Sequence, residues 1–121
     1  MKNNLMQIEI KNLRLRTIIG ANNWEREVLQ DVVITIKFKF DSSKAEASDN
    51  LEDTFNYKSL TKRIIKEVEA SKFNLLESLV GMVYSILKEY AELHDVYVRV
   101  EKPHALRFCD NVIASKSDNY E

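Results

Sequence analysis

Three nitrogen-bearing side chains fall within six positions near the carboxyl end of the chain, in the stretch EKPHALRFCD at residues 101–110. Lys102 precedes Pro103, which favours an extended backbone at the lysine, and His104 and Arg107 follow. Taken singly, each side chain is typical of a solvated turn. Together, three such groups on one turn can bind an anion through charge-assisted hydrogen bonds. These residue types leave two alternatives open, a basic loop or the edge of a site for an anionic ligand.

Two glutamates and a tyrosine are the other candidates. Glu77 lies three residues after Asn74, the pattern of a helix N-cap followed by an acid. A carboxylate held ionised there by the helix dipole could also accept two parallel hydrogen bonds from an amidine-like edge. Glu25, in a polar turn after Gly20, is by default an exposed acid. Tyr57, at the start of a predicted helix, is by default half-buried with a solvated hydroxyl.

Composition excludes several kinds of partner. A length of 121 residues fits one domain, residues 1–121. The net charge of -1 provides no field for nucleic acid or a membrane surface, so we expect neither partner. Cys109 is the single cysteine, which excludes an intrachain disulfide and favours the reducing cytoplasm. We find no signal-peptide pattern and no apolar run of membrane-spanning length.

Common catalytic motifs are missing from the sequence. It contains no glycine-rich phosphate loop, no pair of histidines at metal-ligand spacing and no serine elbow. We therefore expect a metal-free site that uses lysine, tyrosine and glutamate.

Hydrophobic periodicity predicts the element order β-β-α-α-β-β. Alternation predicts strands at residues 7–19, 31–40, 95–100 and 106–114, and helical stripes predict helices within 57–72 and 74–93. The first strand changes phase at Lys11 and Asn12, which indicates a β-bulge. Residues 41–50 are predicted to be a polar connection, and residues 115–121 a frayed tail.

Hairpin-type connections between consecutive strands favour an α+β fold, in which a four-stranded antiparallel sheet carries two helices on one face. The other face would carry Thr35, Lys37 and Lys39, which are too polar for a second core. Open sheet edges must be covered or paired, so we expect a homo-oligomer.

Several short segments occur together in the order and spacing of one family. LRLRTIIG, then Glu25 and Gln30 after Gly20, then FNY, FNLLE and KPHALRF resemble the dihydroneopterin aldolase/dihydroneopterin triphosphate 2′-epimerase family over residues 7–114. HALRF and LRLRT are more similar to the epimerase branch. The chain also lacks the glycine-containing loop that usually follows the lysine in aldolases.

The resemblance implies the tunnelling fold (T-fold), with subunits in tetrameric rings or octamers and active sites between neighbours. It implies a small-molecule pterin substrate and no cofactor. Lys102, Tyr57 and Glu25 are then catalytic, and the substrate-binding residues are Glu77, Leu76, Thr54 and Phe55, of which Thr54 and Phe55 come from the adjacent subunit.

A triphosphate substrate would need a basic rim, for which we expect His104 and Arg107. An interface salt bridge is an equal alternative for Arg107, since arginine is enriched at interfaces.

The family chemistry breaks the C1′–C2′ bond of the substrate, with the C6=N5 imine of the dihydropterin as electron sink. Loss of the two-carbon aldehyde is the aldolase reaction, and re-addition through its other face inverts C2′. The sequence favours the epimerase. The alternatives are 7,8-dihydroneopterin aldolase and a non-catalytic pterin or purine binder, against which the intact set of Glu25, Tyr57 and Lys102 argues.

Overall fold

The computed structural model describes residues 5–118, which form one sheet covered by helices on one face. The strands are β1 (Leu5–Ile19), β2 (Gln30–Asp41), β3 (Lys72–Phe73), β4 (His94–Pro103) and β5 (Asn111–Ser117). Their order in the sheet is β3-β1-β2-β4-β5. The antiparallel pairing of the four predicted strands is confirmed, although the last of them begins at Asn111 and not at residue 106. The fifth, β3, pairs in parallel with the end of β1 and was missed, because two residues are too few to show alternation.

The predicted bulge in β1 is confirmed. The register between β1 and β2 shifts between Ile10 and Leu13, and Asn12 has a φ of 57°. The Asn12 N–H donates to Thr35 Oγ1 at 3.1 Å, which gives the displaced backbone group a partner. The bulge turns Ile10 and Leu15, which lie in different phases of the sequence, toward the same core.

The core lies between the sheet and two helices. The described residues contain the α-helices α1 (Ser43–Ser48), α2 (Tyr57–Glu69) and α3 (Leu76–Lys88). The two that cover the sheet are α2 and α3. Alternate residues of β2 are buried against them, as predicted, namely Val32, Ile34, Ile36, Phe38 and Phe40. Within residues 5–118, no helix has the length and apolar character needed to cross a bilayer.

Two predictions for the segment between β2 and α3 were wrong. The polar connection at residues 41–50 contains α1, and a 3₁₀ turn follows at Leu51–Asp53. Asn74 is not the cap of α3, because the helix begins at Leu76 with Leu75 in the N-cap position and no capping side chain.

The carboxyl end of the chain also differs from the prediction. Residues 104–110 form an exposed turn, and Leu106 and Phe108 lie in it rather than in a strand. Residues 115–117 belong to β5, and the Asp118 carboxylate accepts hydrogen bonds from the Val96 N–H at 3.1 Å and from the Tyr84 hydroxyl. The predicted fraying is therefore wrong for residues 115–118. Residues 119–121 lie outside the described part of the chain.

Candidate active site

Glu25 is a buried acid with a full set of hydrogen-bond donors. It lies in the 3₁₀ turn Asn23–Glu27, which begins three residues after Gly20, and its side chain is 8% exposed. Oε1 accepts from the Asn22 N–H at 3.1 Å, and Oε2 accepts from Gln30 Nε2 at 3.3 Å and from Lys102 Nζ at 2.8 Å. The expectation of an exposed loop acid was wrong, because the missing side chain of Gly20 leaves room for the carboxylate to fold inward.

Lys102 reaches Glu25 from the end of β4. In that strand Val98 and Val100 point into the core, so Lys102 is the next residue on the same face, beyond the end of the core. Its side chain is 13% exposed, and 77 residues of sequence separate it from Glu25. The structure thus joins two of the three predicted catalytic residues in a buried ion pair.

The electrostatics favour the charged form of Glu25. The Lys102 ammonium group is the largest influence on Glu25 and lowers the pKa of its carboxyl group. Burial acts in the opposite direction, and the hydrogen bonds from Asn22 and Gln30 lower the pKa further. Glu25 is therefore an anion at neutral pH and holds the ammonium group in a fixed position.

Arg26 attaches the 3₁₀ turn that carries Glu25 to β3, the short strand that precedes α3. Its guanidinium group donates to the carbonyl oxygens of Gly20 and Phe73, both at 3.0 Å, and of Lys72 at 2.7 Å. The Gly20 N–H also donates to the Phe73 carbonyl at 3.0 Å. One planar fork therefore connects the end of β1, the 3₁₀ turn and β3.

Leu76 and Glu77 lie just after this connection, in the first turn of α3. Backbone N–H groups in a first helical turn have no partner within the helix, and the helix dipole favours an anion there. Leu76 is half-buried and the Glu77 side chain is exposed. The binding residues predicted for the ring edge therefore lie at the same end of the sheet as Glu25 and Lys102.

Thr54 and Phe55 lie elsewhere on the chain. Phe55 packs with its ring centroid 5.4 Å from that of Phe38, toward the Asp41 end of β2. Gln30, which contacts Glu25, begins the same strand. Eight residues of strand separate Gln30 from Phe38, or roughly 25 Å.

Tyr57 is also remote from the ion pair. It is 48% exposed and lines a groove with Glu9 and Ile10 of β1. Ile10 pairs with Ile36, which lies six residues along β2 from Gln30, or roughly 20 Å. One chain therefore brings together Glu25, Lys102 and the start of α3, and holds Thr54, Phe55 and Tyr57 apart from them.

His104 and Arg107 occupy the exposed turn after β4. His104 has a φ of 62° and lines a groove with Arg14 and Arg16, and the Arg107 guanidinium group lies 5.3 Å from the centre of the Phe108 ring. The three nitrogen groups of this turn do not form one cluster, because the Lys102 ammonium group binds Glu25 instead. The phosphate-binding roles of His104 and Arg107 stay predictions.

Two contributors were missed as site residues. Gln30 Nε2 donates both to Glu25 and to the Ile19 carbonyl, at 2.7 Å for the latter, and Arg26 holds the turn as described. The family-like spacing of Gln30 from Gly20 was a usable signal, but nothing in the local pattern distinguishes Arg26 from a surface arginine. Within residues 5–118, no group of three or more His, Cys, Asp or Glu side chains is placed to hold a metal ion.

Comparison with known proteins decides the family. Residues 8–115 match the family profile described as FolB, dihydroneopterin aldolase. This chain belongs to the dihydroneopterin aldolase family. The resemblance drawn from the short sequence segments is thereby confirmed.

Within the family, similarity is greater to epimerases than to aldolases. The dihydroneopterin triphosphate 2′-epimerase of Escherichia coli K12 is 42% identical over 87% of this chain and 88% of its own length. The dihydroneopterin aldolase of the same strain is 29% identical over 85% and 84%. The crystal structure of E. coli dihydroneopterin aldolase in complex with neopterin superposes with a TM-score of 0.83 at 27% identity, covering 92% of this chain and 98% of that one. The predicted T-fold is confirmed.

Proposed function

We propose that this chain is a dihydroneopterin triphosphate 2′-epimerase that inverts C2′ by breaking and re-forming the C1′–C2′ bond. The observation that carries the proposal is the buried Glu25–Lys102 ion pair at 2.8 Å, at the same end of the sheet as Glu77. The greater similarity to epimerases favours this reaction over that of the aldolases.

Glu77 supplies the recognition of the pterin ring. Its carboxylate accepts from the 2-amino group and N3–H, two parallel donors that match its two oxygens. The first-turn N–H groups at Leu76 and Glu77 favour an anion at that position. The ring would then lie between the start of α3 and the ion pair.

The ion pair stabilises the charge that the reaction creates. As the 2′-hydroxyl loses its proton, the C2′–O bond becomes a carbonyl and the C1′–C2′ bond breaks. Its electron pair passes to C1′ and is delocalised into the C6=N5 imine. Lys102, held in position by Glu25, donates a hydrogen bond to N5 where negative charge arrives. The aldehyde turns, adds back through its other face and recovers the proton.

A second subunit completes this site. Tyr57, which would relay the proton of the 2′-hydroxyl, lies roughly 20 Å from the ion pair in one chain by the β2 residue count. Thr54 and Phe55 are also far from the ion pair within one chain. We infer a ring, as a tetramer or an octamer, in which Thr54, Phe55 and Tyr57 of one chain face Glu25, Glu77 and Lys102 of the next. We further expect a cytoplasmic enzyme that works without a metal, with His104 and Arg107 at the phosphate rim.

A turnover assay with dihydroneopterin triphosphate tests the proposal. We expect chromatography to show the monapterin epimer of the triphosphate as main product. Conversion of unphosphorylated dihydroneopterin to 6-hydroxymethyl-7,8-dihydropterin without epimerised triphosphate would make the chain an aldolase instead. Binding of neopterin with neither product would make it a pterin-binding scaffold.

Isotope labelling tests the bond that breaks. In the proposed route the hydrogen on C2′ stays with the aldehyde fragment throughout. Epimerised product formed in D₂O should therefore carry ordinary hydrogen at C2′, as read by mass spectrometry and NMR. Deuterium at C2′ in proportion to inversion would mean direct removal of that hydrogen and would overturn the retro-aldol route.

A further inference from the structure

The groove beside Tyr57 contains cationic groups that the mechanism above does not use. It encloses about 530 Å³ between β1 and α2, and its lining residues are Glu9, Ile10, Tyr57, Lys58, Thr61 and Lys62. Lys58 and Lys62 are exposed and lie one helical turn apart, on the same side of α2.

These two ammonium groups have no partner within residues 5–118, where neither forms a hydrogen bond or an ion pair. Several other lysines have carboxylate partners, for example Lys39 with Asp95 at 3.3 Å and Lys88 with Asp118 at 3.1 Å. Like charges at this helical spacing repel each other, so the arrangement weakens α2 unless an anion binds between them.

The other polar groups of the groove leave the cationic character intact. The Thr61 hydroxyl donates to the Tyr57 carbonyl at 2.8 Å, so its proton is engaged. Glu9 is the one acid among the lining residues, which include two lysines. The groove is thus a cationic surface that contains the tyrosine assigned to the reaction at C2′.

The substrate places its phosphates close to that tyrosine. The triphosphate is attached through the oxygen of C3′, and C3′ is bonded directly to C2′. When C2′ lies near the Tyr57 hydroxyl, a chain of phosphates that starts at C3′ is within reach of the residues of α2 that line the same groove. Lysine ammonium groups bind phosphate oxygens as point charges and need no fixed orientation.

We propose that Lys58 and Lys62 form the triphosphate subsite of the enzyme and are contributed by the same subunit as Tyr57. This inference rests on the proposed function, in which Tyr57 acts at C2′. It assigns selection for a phosphorylated substrate to the helix that carries the tyrosine, in addition to the turn at His104 and Arg107.

The test compares phosphorylated and unphosphorylated ligands. In a Lys58→Gln/Lys62→Gln double variant, we expect neopterin triphosphate to bind at least about tenfold more weakly, as for loss of charge-assisted hydrogen bonds. Binding of neopterin, followed by fluorescence titration, should change far less. The salt dependence of neopterin triphosphate binding should also become shallower, because fewer ion pairs form.

Lys66→Gln is the matched control. Lys66 lies on the same helix, two turns or about 12 Å beyond Lys58, and is not among the groove residues. Unchanged triphosphate binding in the double variant would overturn the proposal. Equal losses for both ligands would also overturn it, because they would indicate damage to the site around Tyr57 and not a phosphate subsite.

Tripolyphosphate separates this inference from the proposed reaction. Its binding to the wild-type protein and to the two Gln variants can be measured by calorimetry without turnover. We expect measurable binding to the wild-type protein that the double variant loses and the Lys66 control retains. If the protein lacked epimerase activity but showed this pattern, the subsite would stand and the proposed function would fail. Tripolyphosphate binding that is equal in all three proteins would contradict the subsite alone.

Discussion

The carboxylate of Glu25 occupies the space in which any side chain on residue 20 would have to lie. A β-carbon on Gly20 would overlap the carboxylate carbon and both oxygens of Glu25. Gly20 also has a φ of 128°, a conformation that favours glycine. The glycine at the end of β1 is therefore what allows the acid to turn inward and meet Lys102.

Gly20→Ala should displace Glu25 and break the ion pair. We expect a loss of at least about 1 kcal/mol in the free energy of unfolding, since alanine fits the native φ poorly. Turnover should fall by at least roughly tenfold, because a small misplacement of a catalytic group has large effects. Gly81→Ala is the control. Gly81 lies inside α3 with open space at its β-carbon, so alanine should stabilise the protein by about 0.5–1 kcal/mol. Equal behaviour of the two variants would contradict this account of Gly20.

Arg26→Ala should loosen the connection between the 3₁₀ turn that carries Glu25 and the segment that leads into α3. The Gly20, Lys72 and Phe73 carbonyl groups would lose the hydrogen bonds that Arg26 donates, at a cost of about 2 kcal/mol in the free energy of unfolding. Neopterin affinity should fall by roughly tenfold, since the Glu25 turn and the start of α3 could shift apart. Arg26→Lys should recover little, because an ammonium group cannot reproduce the planar fork.

Arg16→Ala is the control for Arg26. Arg16 pairs with Asp31 at 3.2 Å, but the two side chains are 63% and 70% exposed. An ion pair so exposed contributes about 0–1 kcal/mol, so neopterin binding should hardly change. If Arg26→Ala lowered stability but left neopterin affinity per folded molecule unchanged, Arg26 would have no positioning role.

The contribution of Glu25 to stability should depend on pH. Because its pKa in the folded protein is lowered below the ordinary value of 4.5, the carboxylate stabilises the fold above that value. The contribution should disappear as pH falls through the lowered pKa. At neutral pH, Glu25→Gln leaves the Lys102 ammonium group buried without its partner, at a cost of about 3 kcal/mol.

Urea unfolding of the wild-type protein and Glu25→Gln across acid to neutral pH measures this effect. The difference between the two should be largest near neutrality and should shrink below pH 4.5. Glu27→Gln, an exposed acid in the same 3₁₀ turn, is the control and should show a difference near zero throughout. A Glu25 difference that stays constant with pH would mean that the ion pair does not stabilise the fold.

Mixing two inactive variants tests the shared site. Tyr57→Phe and Lys102→Ala proteins, dissociated and reassembled together, should recover about a quarter of the wild-type activity, because random assembly gives that share of sites two intact halves. Lys102→Ala mixed with Glu25→Gln is the control. Both changes lie in the same half of the site, so no mixed site regains both groups. No gain in the first mixture would place Tyr57 and Lys102 in the same subunit's site or outside any site.

Local pattern was enough to predict much of this chain. Alternation in β2 and the helical stripes of α2 and α3 predict the sheet, its covered face and the core, because burial on one face repeats with the period of each element. The phase change at Asn12 predicts the bulge for the same reason. The motifs containing Glu25, Glu77 and Lys102 also predict the family, which the profile match over residues 8–115 confirms.

Tertiary structure alone decided how the site is built. Glu25 and Lys102 are 77 residues apart, and their burial depends on the closing of β1, β2 and β4 into one sheet. The positions of Arg26 and Asp118 also depend on long-range contacts. Arg26 donates to carbonyl groups of β3, a strand of only two residues. The Asp118 carboxylate accepts hydrogen bonds from the Val96 N–H and the Tyr84 hydroxyl. A polar residue in a loop has the same local pattern whether it is solvated or buried. What distinguishes the two states is the set of donors and acceptors that long-range folding brings to it.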